Sequence, residues 1–297
     1  MSFKTIDRET VTLLESGALR KLETSELLRE QTKFAGRVVV ITGAGSGLGR
    51  AFAVHAATNG AKVVIGDVNM AGLDETLQLI TAVRGTATGT RCDVTSWDDQ
   101  LKLFALAEER YGRVDVVVAN AGIGDAAPMD FTQSELTKPN LKTIDIDVVG
   151  VVYTARIGLH HMRKNPATEG KTLILIASYA AFYGSPLTLM YAASKHAVLG
   201  LGRALRYITP NDGINCITLC PYFIDTPITA PIASLVARDP TAAISDFVAA
   251  ASYASVSSPD TLPPSSLVFV HPRGVLVGRD AGIVGVGAGS GKERGRL

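Results

Sequence analysis

Short runs of consecutive apolar residues recur along the chain and alternate with longer segments of helical periodicity. Apolar runs of this length, bounded by turn residues, are typical of strands that are buried on both faces. Such strands, separated by helices, predict an α/β fold with a doubly wound parallel sheet. The predicted strands cover residues 37–41, 62–66, 86–92, 114–119, 172–177 and 214–219, with a last edge strand at 266–270, about seven in all.

The segments between these runs have apolar residues at helical spacing, as at Leu73, Leu77 and Ile80. The first helix should stop at Asn59-Gly60, because such a pair is a common helix C-terminus. The other clear helices are predicted at 97–111, at about 133–164 with an early break at Pro139, and at 191–208.

The two ends of the chain and one late segment depart from this alternation. Residues 1–36 alternate leucines with charged residues and predict a helical N-terminal extension that packs on the body or contacts a second copy. A single domain is expected over 37–277. Within it, residues 226–264 are rich in Ala, Ser, Thr and Pro and predict a substrate lid, with a helical stretch in 241–254. The Gly-rich residues 278–297 predict a flexible tail.

Composition and charge argue against several classes of function. The formal net charge is +1, from 29 basic and 28 acidic residues, which favours neither nucleic acid nor an anionic membrane as a partner. The three cysteines have no zinc spacing and no disulfide framework, so no metal site is expected and a reducing, cytoplasmic location is favoured. No run approaches the ~20 apolar residues of a membrane span, and the N-terminus has no apolar signal core.

The first strand runs directly into a glycine-rich turn, Thr42 to Gly49, which opens a helix. Gly43 and Gly47 allow a tight turn and close approach of phosphates, and Gly49 lets the helix pack on the strand. Backbone N–H groups at such a helix start can bind a diphosphate. An ordinary tight turn is the alternative, but the strand before and the helix after favour a dinucleotide site.

Acidic residues follow the next two strands. Asp67, about 20 positions past the glycines, can accept both hydroxyls of an adenosine ribose and would repel a 2′-phosphate. NAD is therefore favoured over NADP. Asp93 could accept the adenine amino group. For both residues, capping the following helix is the alternative.

Three later residues indicate acid/base chemistry. Tyr191 and Lys195 are i and i+4 and share a helix face, while Ser178 ends the fifth strand at the same sheet edge. A nearby ammonium stabilises a phenolate, so Tyr191 could exchange a proton with a substrate oxygen that Ser178 also binds. Alone, a Tyr–Lys pair at this spacing is usually a surface pair without a function. When the pair follows a nucleotide-binding half in the sequence, it indicates an active site.

Together these motifs resemble the short-chain dehydrogenase/reductase family, over residues 37–226. The motifs are the glycine turn, Asn120-Ala121-Gly122, Ser178, and Tyr191-Ala192-Ala193-Ser194-Lys195. The resemblance implies a single three-layer Rossmann domain, a nicotinamide cofactor, a homodimer or homotetramer, and hydride transfer at a secondary alcohol or ketone. Residues around 220–226 resemble fungal secondary-metabolite alcohol dehydrogenases similar to hydroxyaverantin dehydrogenase.

The resemblance also implies roles for individual residues. Tyr191 would be the acid/base, Ser178 would orient the substrate oxygen, and Lys195 would bind the nicotinamide ribose and activate Tyr191. Ala121 and Gly122 would let the cofactor lie across the sheet edge. The remaining cofactor contacts implied are Ser46 and Leu48 with the phosphates, Asp67, Asp93 and Val94 with the adenosine, Asn120 with the ribose, and Ile224 and Thr226 with the carboxamide.

Three departures from the family pattern stand out. The family usually has Asn-x-x-Gly in the long helix, where this chain has Asp147 through Gly150. Asp147 could hold a relay water, but an ionised carboxylate only accepts hydrogen bonds. Tyr222 replaces the glycine of the usual Pro-Gly and could line the substrate pocket. Residues 255–297 match the family's Gly-rich last strand poorly.

These observations predict an NAD-dependent oxidoreductase that interconverts a secondary alcohol and a ketone on a bulky hydrophobic small molecule. Ala180, Tyr183 and Tyr222 are the predicted substrate contacts. One alternative is a non-redox step on the same fold, such as a cyclisation, epimerisation or dehydration. The other is an NAD-binding protein without activity, against which the intact Ser178, Tyr191 and Lys195 argue.

Overall fold

A sheet forms the centre of the protein and has nine strands among the residues that the structure describes. The computed structural model describes residues 19–29, 31–125, 136–165, 170–184, 188–230, 242–256, 266–272 and 274–279. The strands are β1 Leu19–Lys21, β2 Val38–Thr42, β3 Lys62–Asp67, β4 Thr86–Arg91, β5 Val116–Ala119, β6 Lys171–Ile176, β7 Ile214–Pro221, β8 Ser266–His271 and β9 Gly274–Arg279. Their order is β1-β9-β8-β7-β6-β5-β2-β3-β4.

Seven of these strands, β2 to β8, are parallel, as the continuous apolar runs predict. The chain order reverses between β2 and β5, whose carboxyl ends therefore form a crevice at one sheet edge. The α/β Rossmann architecture is thus confirmed. The predicted count of about seven holds for the parallel part, and β9 and β1 add two antiparallel strands outside β8.

Helices cover both faces of the sheet. They are α1 Thr24–Arg29, α2 Gly47–Thr58, α3 Met70–Ala82, α4 Trp97–Tyr111, α5 Lys142–Ile144, α6 Val151–Lys164, α7 Leu189–Leu205 and α8 Ile244–Val256. A π-helical turn, Asp145–Gly150, joins α5 to α6. Alternate residues of β2 point into two cores, Val39 and Ile41 toward α2, α3 and α8, and Val38 and Val40 toward α4, α6 and α7. No helix in the described ranges has the length and apolar character needed to cross a membrane.

Several predicted bounds differ from the structure. The helix predicted from about residue 133 begins at Lys142, and residues 136–141 are not helical, because Pro139 lacks an amide hydrogen and restricts the residue before it. Residues 126–135 lie outside the described residues. The strand predicted at 266–270 is not an edge strand, since β9 pairs along its outer side.

The chain ends also differ from the expected helices and tail. Among the described residues of the extension, 19–21 form β1, which pairs with β9, and only α1 and the short turn Gln31–Phe34 are helical. Gly278 and Arg279 belong to β9 rather than to a tail. Residues 1–18 and 280–297 lie outside the described residues.

The segment predicted as a lid divides into different parts. Its helical stretch is α8, whose Phe247, Ala250 and Tyr253 are buried against the sheet, so this helix belongs to the covering layer. Small alanines let α8 approach α2 and β6 closely. Residues 231–241 and 257–265 lie outside the described residues, and a lid before α8 stays a prediction.

Candidate active site

A cleft of about 260 Å³ opens at the carboxyl ends of the parallel strands. It extends from the turn after β2, past the ends of β3 and β5, to the ends of β6 and β7. Among the described residues, its lining includes most of the predicted site: Gly43, Ser46, Gly47, Leu48, Asp67, Asp93, Val94, Asn120, Ala121, Gly122, Ser178, Tyr191, Lys195, Tyr222, Ile224 and Thr226.

The glycine turn at one end has the backbone shape of an anion cradle. Gly43 has φ +68°, and a Cβ there would lie 2.6 Å from the Ala121 Cα, so only glycine fits. Gly47 is also left-handed, with φ +52°. The Ser46 side chain makes no capping hydrogen bond to α2, which leaves the first-turn amides of the helix to bind an anion. These features fit the diphosphate of a dinucleotide.

Gly49 lies outside the described cleft, in the contact between α2 and β2. A Cβ at this position would collide with the Gly43 carbonyl oxygen and lie 2.5 Å from the Asn120 side-chain nitrogen. That nitrogen donates to the carbonyls of Thr42 (2.9 Å) and Gly43 (3.0 Å). Asn120 therefore clamps the glycine turn to β5 in addition to lining the cleft.

Asp67 connects the glycine turn to the end of β3. Its Oδ2 accepts from the Gly45 amide (2.8 Å) and its Oδ1 from the Asn69 amide (2.9 Å). The cap of α3 is Asn69, which accepts from Gly72, so the capping alternative for Asp67 is wrong. Each carboxylate oxygen can accept a second hydrogen bond, which leaves capacity for ribose hydroxyls.

Asp93 likewise does not cap the next helix. Its Oδ1 accepts from the amide (3.0 Å) and hydroxyl (2.7 Å) of Thr95, while Ser96 caps α4 by accepting from Asp99. Asp93 and Val94 thus form a turn against the cleft between Asp67 and Asn120.

Ser178, Tyr191 and Lys195 meet at the other end of the cleft. Ser178 follows β6, and its hydroxyl oxygen accepts from the Ala180 amide (3.1 Å), which leaves its proton to donate. The Lys195 Nζ lies 5.3 Å from the centre of the Tyr191 ring and donates to the Ile176 carbonyl (3.3 Å). The three side chains predicted from sequence to act together therefore line one cleft, and two of them, Tyr191 and Lys195, are neighbours.

Asp147 lies behind Lys195 rather than in the cleft lining. Its Oδ2 is 3.0 Å from the Lys195 Nζ, and its Oδ1 accepts from the Ile123 amide (2.8 Å). Burial raises the pKa of Asp147, and the Lys195 ammonium opposes that shift. Burial lowers the pKa of Lys195, but the Asp147 carboxylate, together with Tyr191 and Cys220, outweighs burial, so this pKa lies above the usual lysine value.

The segment after β7 closes the third side of the cleft. The Thr229 hydroxyl accepts from the Thr226 amide (3.0 Å) and donates to the Ile224 carbonyl (2.8 Å), which fixes the turn. Tyr222 contacts the rings of Tyr179 and His271 with centroid distances of 5.1 and 5.2 Å.

Ala180 and Tyr183, two of the predicted substrate contacts, do not line the described part of the cleft. Tyr183 stacks on Tyr179 instead, with centroids 6.4 Å apart. Sequence reasoning missed Ile123, Ile146 and Thr229, which do line it. The threonine spacing of 226 and 229 after Pro221 was an available signal for a side chain–backbone turn.

Comparison with known proteins agrees with this geometry. Residues 37–236 match the short chain dehydrogenase family. The 5′-hydroxyaverantin dehydrogenase of Dothistroma septosporum is 35% identical over 214 residues, covering 66% of this chain and 70% of that protein, which confirms the predicted resemblance.

Solved structures with the same fold include one bound to NAD and one with NADP. A short chain dehydrogenase from Mycobacterium paratuberculosis bound to NAD has a TM-score of 0.70 at 26% identity, over 80% of this chain and 97% of that one. A protein assigned as an NAD(P) dependent gluconate 5-dehydrogenase from Beutenbergia cavernae, with NADP bound at low occupancy, has a TM-score of 0.70 at 28% identity, over 80% and 96%. The chain belongs to the short chain dehydrogenase family and is an oxidoreductase.

Proposed function

We propose that this protein is an NAD-dependent dehydrogenase that interconverts a secondary alcohol and a ketone on a bulky hydrophobic small molecule. The meeting of Ser178, Tyr191 and Lys195 in one cleft with the glycine turn and Asp67 carries the proposal. The substrate would bind at the Tyr191 end and the cofactor along the strand ends. A homodimer or homotetramer in the cytoplasm is the expected setting.

In the mechanism, the substrate oxygen binds between Ser178 and Tyr191. Ser178 donates a hydrogen bond to that oxygen, and in the oxidative direction Tyr191 takes the hydroxyl proton as general base. Lys195, next to the Tyr191 ring, stabilises the phenolate. NAD, when bound, supplies the nicotinamide ring that accepts or returns the hydride. In the reductive direction Tyr191 returns its proton to the forming alcohol.

The direct test is NADH formation by the purified protein with NAD and a panel of secondary alcohols from 2-propanol to 1-tetralol. The proposal expects NADH absorbance to rise, and NADH to be consumed with the matching ketone. Conversion of a substrate without any change in NADH would support the non-redox alternative, which the relatives do not favour. Tight NAD binding without turnover across the panel would support a binding protein.

Asp67 is the proposed determinant of NAD over NADP. Its carboxylate lines the cleft and would repel a 2′-phosphate. We expect Asp67→Asn to lower the NAD:NADP ratio of kcat/KM by about tenfold or more, because the repulsion is removed while an acceptor oxygen for Gly45 remains. Steady-state kinetics with both cofactors measures it. Asp74→Asn on the exposed face of α3 is the control, and an equal change there would contradict the assignment.

Tyr222 is the proposed contact for the hydrophobic part of the substrate. Its ring is held by Tyr179 and His271 and lines the cleft. We expect Tyr222→Ala to raise KM for 1-tetralol by about tenfold, roughly the loss of one aromatic contact, with little change for 2-propanol. Tyr183→Ala, which removes an aromatic ring outside the described lining, should change either KM much less. Equal effects of the two variants on KM would contradict the assignment of Tyr222 as the substrate contact.

A further inference from the structure

We infer that Asp147 is a positioning residue that compensates the charge of Lys195 and thereby weakens the electrostatic support that Lys195 gives to a Tyr191 phenolate. This inference rests on the acid/base role proposed for Tyr191. From sequence, Asp147 was expected to hold a relay water, whereas in the structure it forms a direct ion pair with Lys195.

The geometry of the pair supports a fixed charge contact. Asp147 is 0% exposed and Lys195 4% exposed, and their charged atoms are 3.0 Å apart. The Ile123 amide holds the other oxygen of Asp147 at 2.8 Å. The pair also packs directly on Gly122, where a Cβ would lie 3.2 Å from an Asp147 oxygen and 3.3 Å from the Lys195 nitrogen.

The effect on Tyr191 follows from the charges. A single buried ammonium 5.3 Å from the ring would strongly favour the phenolate. With the Asp147 carboxylate in contact, the two charges form a dipole with no net charge. A Tyr191 phenolate then gains less stabilisation than Lys195 alone would give it, and removal of the Asp147 charge should strengthen that stabilisation.

Among the described groups, Asp147 contributes the largest compensation of the Lys195 charge, and buried Cys220 contributes less. Asp125 accepts a hydrogen bond from the Met190 amide at the start of α7. The variants used to test the inference leave Asp125 in place. Several titratable and charged groups lie on the elements around Tyr191. They are Asp147 and the exposed Asp145 on the π-helical turn, Asp125 after β5, exposed Lys142 on α5, Lys195, His196 and Arg203 on α7, Lys171 on β6, Cys216 and Cys220 on β7, and Tyr179 after β6.

A purely structural ion pair is the competing explanation. Buried pairs often contribute little net stability, because desolvation offsets the attraction. A structural role predicts that removing Asp147 lowers stability without changing the pH at which Tyr191 ionises. The two explanations therefore separate on a titration rather than on activity alone.

The test is Asp147→Asn, which removes the charge and keeps an oxygen for the Ile123 amide. Asp145→Asn, an exposed position on the same turn, is the matched control. Tyr191 ionisation is followed as tyrosinate absorbance against pH, as the difference between each protein and its Tyr191→Phe counterpart. The pH profile of kcat for 1-tetralol oxidation with NAD is the second readout.

We expect the Tyr191 ionisation midpoint and the acidic limb of kcat to fall by about one pH unit in Asp147→Asn, a rate gain of about tenfold on that limb. The Asp145→Asn control should match the wild type. An unchanged midpoint in a folded Asp147→Asn protein, or an equal shift in the control, would overturn the inference. If Asp147→Asn does not fold, Asp147→Ser carries the same test.

The two proposals fail in different ways. If 1-tetralol and the wider alcohol panel give no NADH, the proposed function fails while the absorbance titration still measures the charge effect. If NADH forms and the midpoint does not move, the proposed function stands and the role of Asp147 falls.

Discussion

Tyr191→Phe is expected to lower kcat for alcohol oxidation by about 10²- to 10⁴-fold, the usual contribution of a positioned acid/base group. Phenylalanine keeps the ring beside Lys195 and removes only the hydroxyl that exchanges the proton. NAD binding should therefore change little, since the glycine turn and Asp67 are unaffected. The measurements are steady-state NADH formation and calorimetric NAD binding.

The control for this variant is Tyr207→Phe, a tyrosine that is 71% exposed shortly after α7. It removes the same hydroxyl outside the cleft, and its kcat should stay within twofold of the wild type. A Tyr191→Phe enzyme that keeps more than a tenth of the wild-type kcat would contradict the acid/base assignment.

The parallel strands of the core were predictable because the pattern that specifies each of them lies within its own few residues. The central strands β2, β5, β6 and β7 are rich in apolar residues and are buried at every position. Such runs specify strands without knowledge of their partners. The glycine turn after β2 was equally predictable, since its left-handed glycines and the helix that follows are adjacent in sequence.

The hairpin β8–β9 and strand β1 could not be predicted in the same way. Leu19 pairs with Gly278, so β1 exists only because distant residues of β9 offer an unpaired edge. Three residues with two charges show no strand pattern of their own. Helix α8 was predicted as part of a lid because the segment is rich in Ala and Ser and follows the sixth predicted strand, yet those small residues are what let the helix pack in the core.

The candidate site shows the same division. Tyr191 and Lys195 lie one helical turn apart, so their proximity was predictable from spacing. The contact between Asp147 and Lys195 depends on how the π-helical turn packs against α7 and was not predictable. Asp67 was placed correctly at the end of β3, whereas its hydrogen bonds to Gly45 and Asn69 required the folded turn.

Gly43→Ala is expected to have the largest effect on stability. The substitution places a side chain at φ +68° and pushes its methyl into the Ala121 backbone, 2.6 Å from the Cα. The left-handed conformation costs about 1–2 kcal/mol and the overpacking about 1–3 kcal/mol more. Because the contact lies between β2 and β5, relief of the clash would also widen the crevice and weaken NAD binding by about tenfold or more.

Gly36→Ala separates these two causes. Gly36 also has a left-handed backbone, with φ +76°, but a Cβ there would meet nothing within 4 Å. Urea unfolding should therefore show only the conformational cost of about 1–2 kcal/mol for Gly36→Ala, with NAD affinity unchanged. Equal losses of stability in the two variants would mean that the β2–β5 contact can relax around a methyl group. The glycine at 43 would then be required by its backbone conformation alone, and the crevice would not depend on close packing at that point.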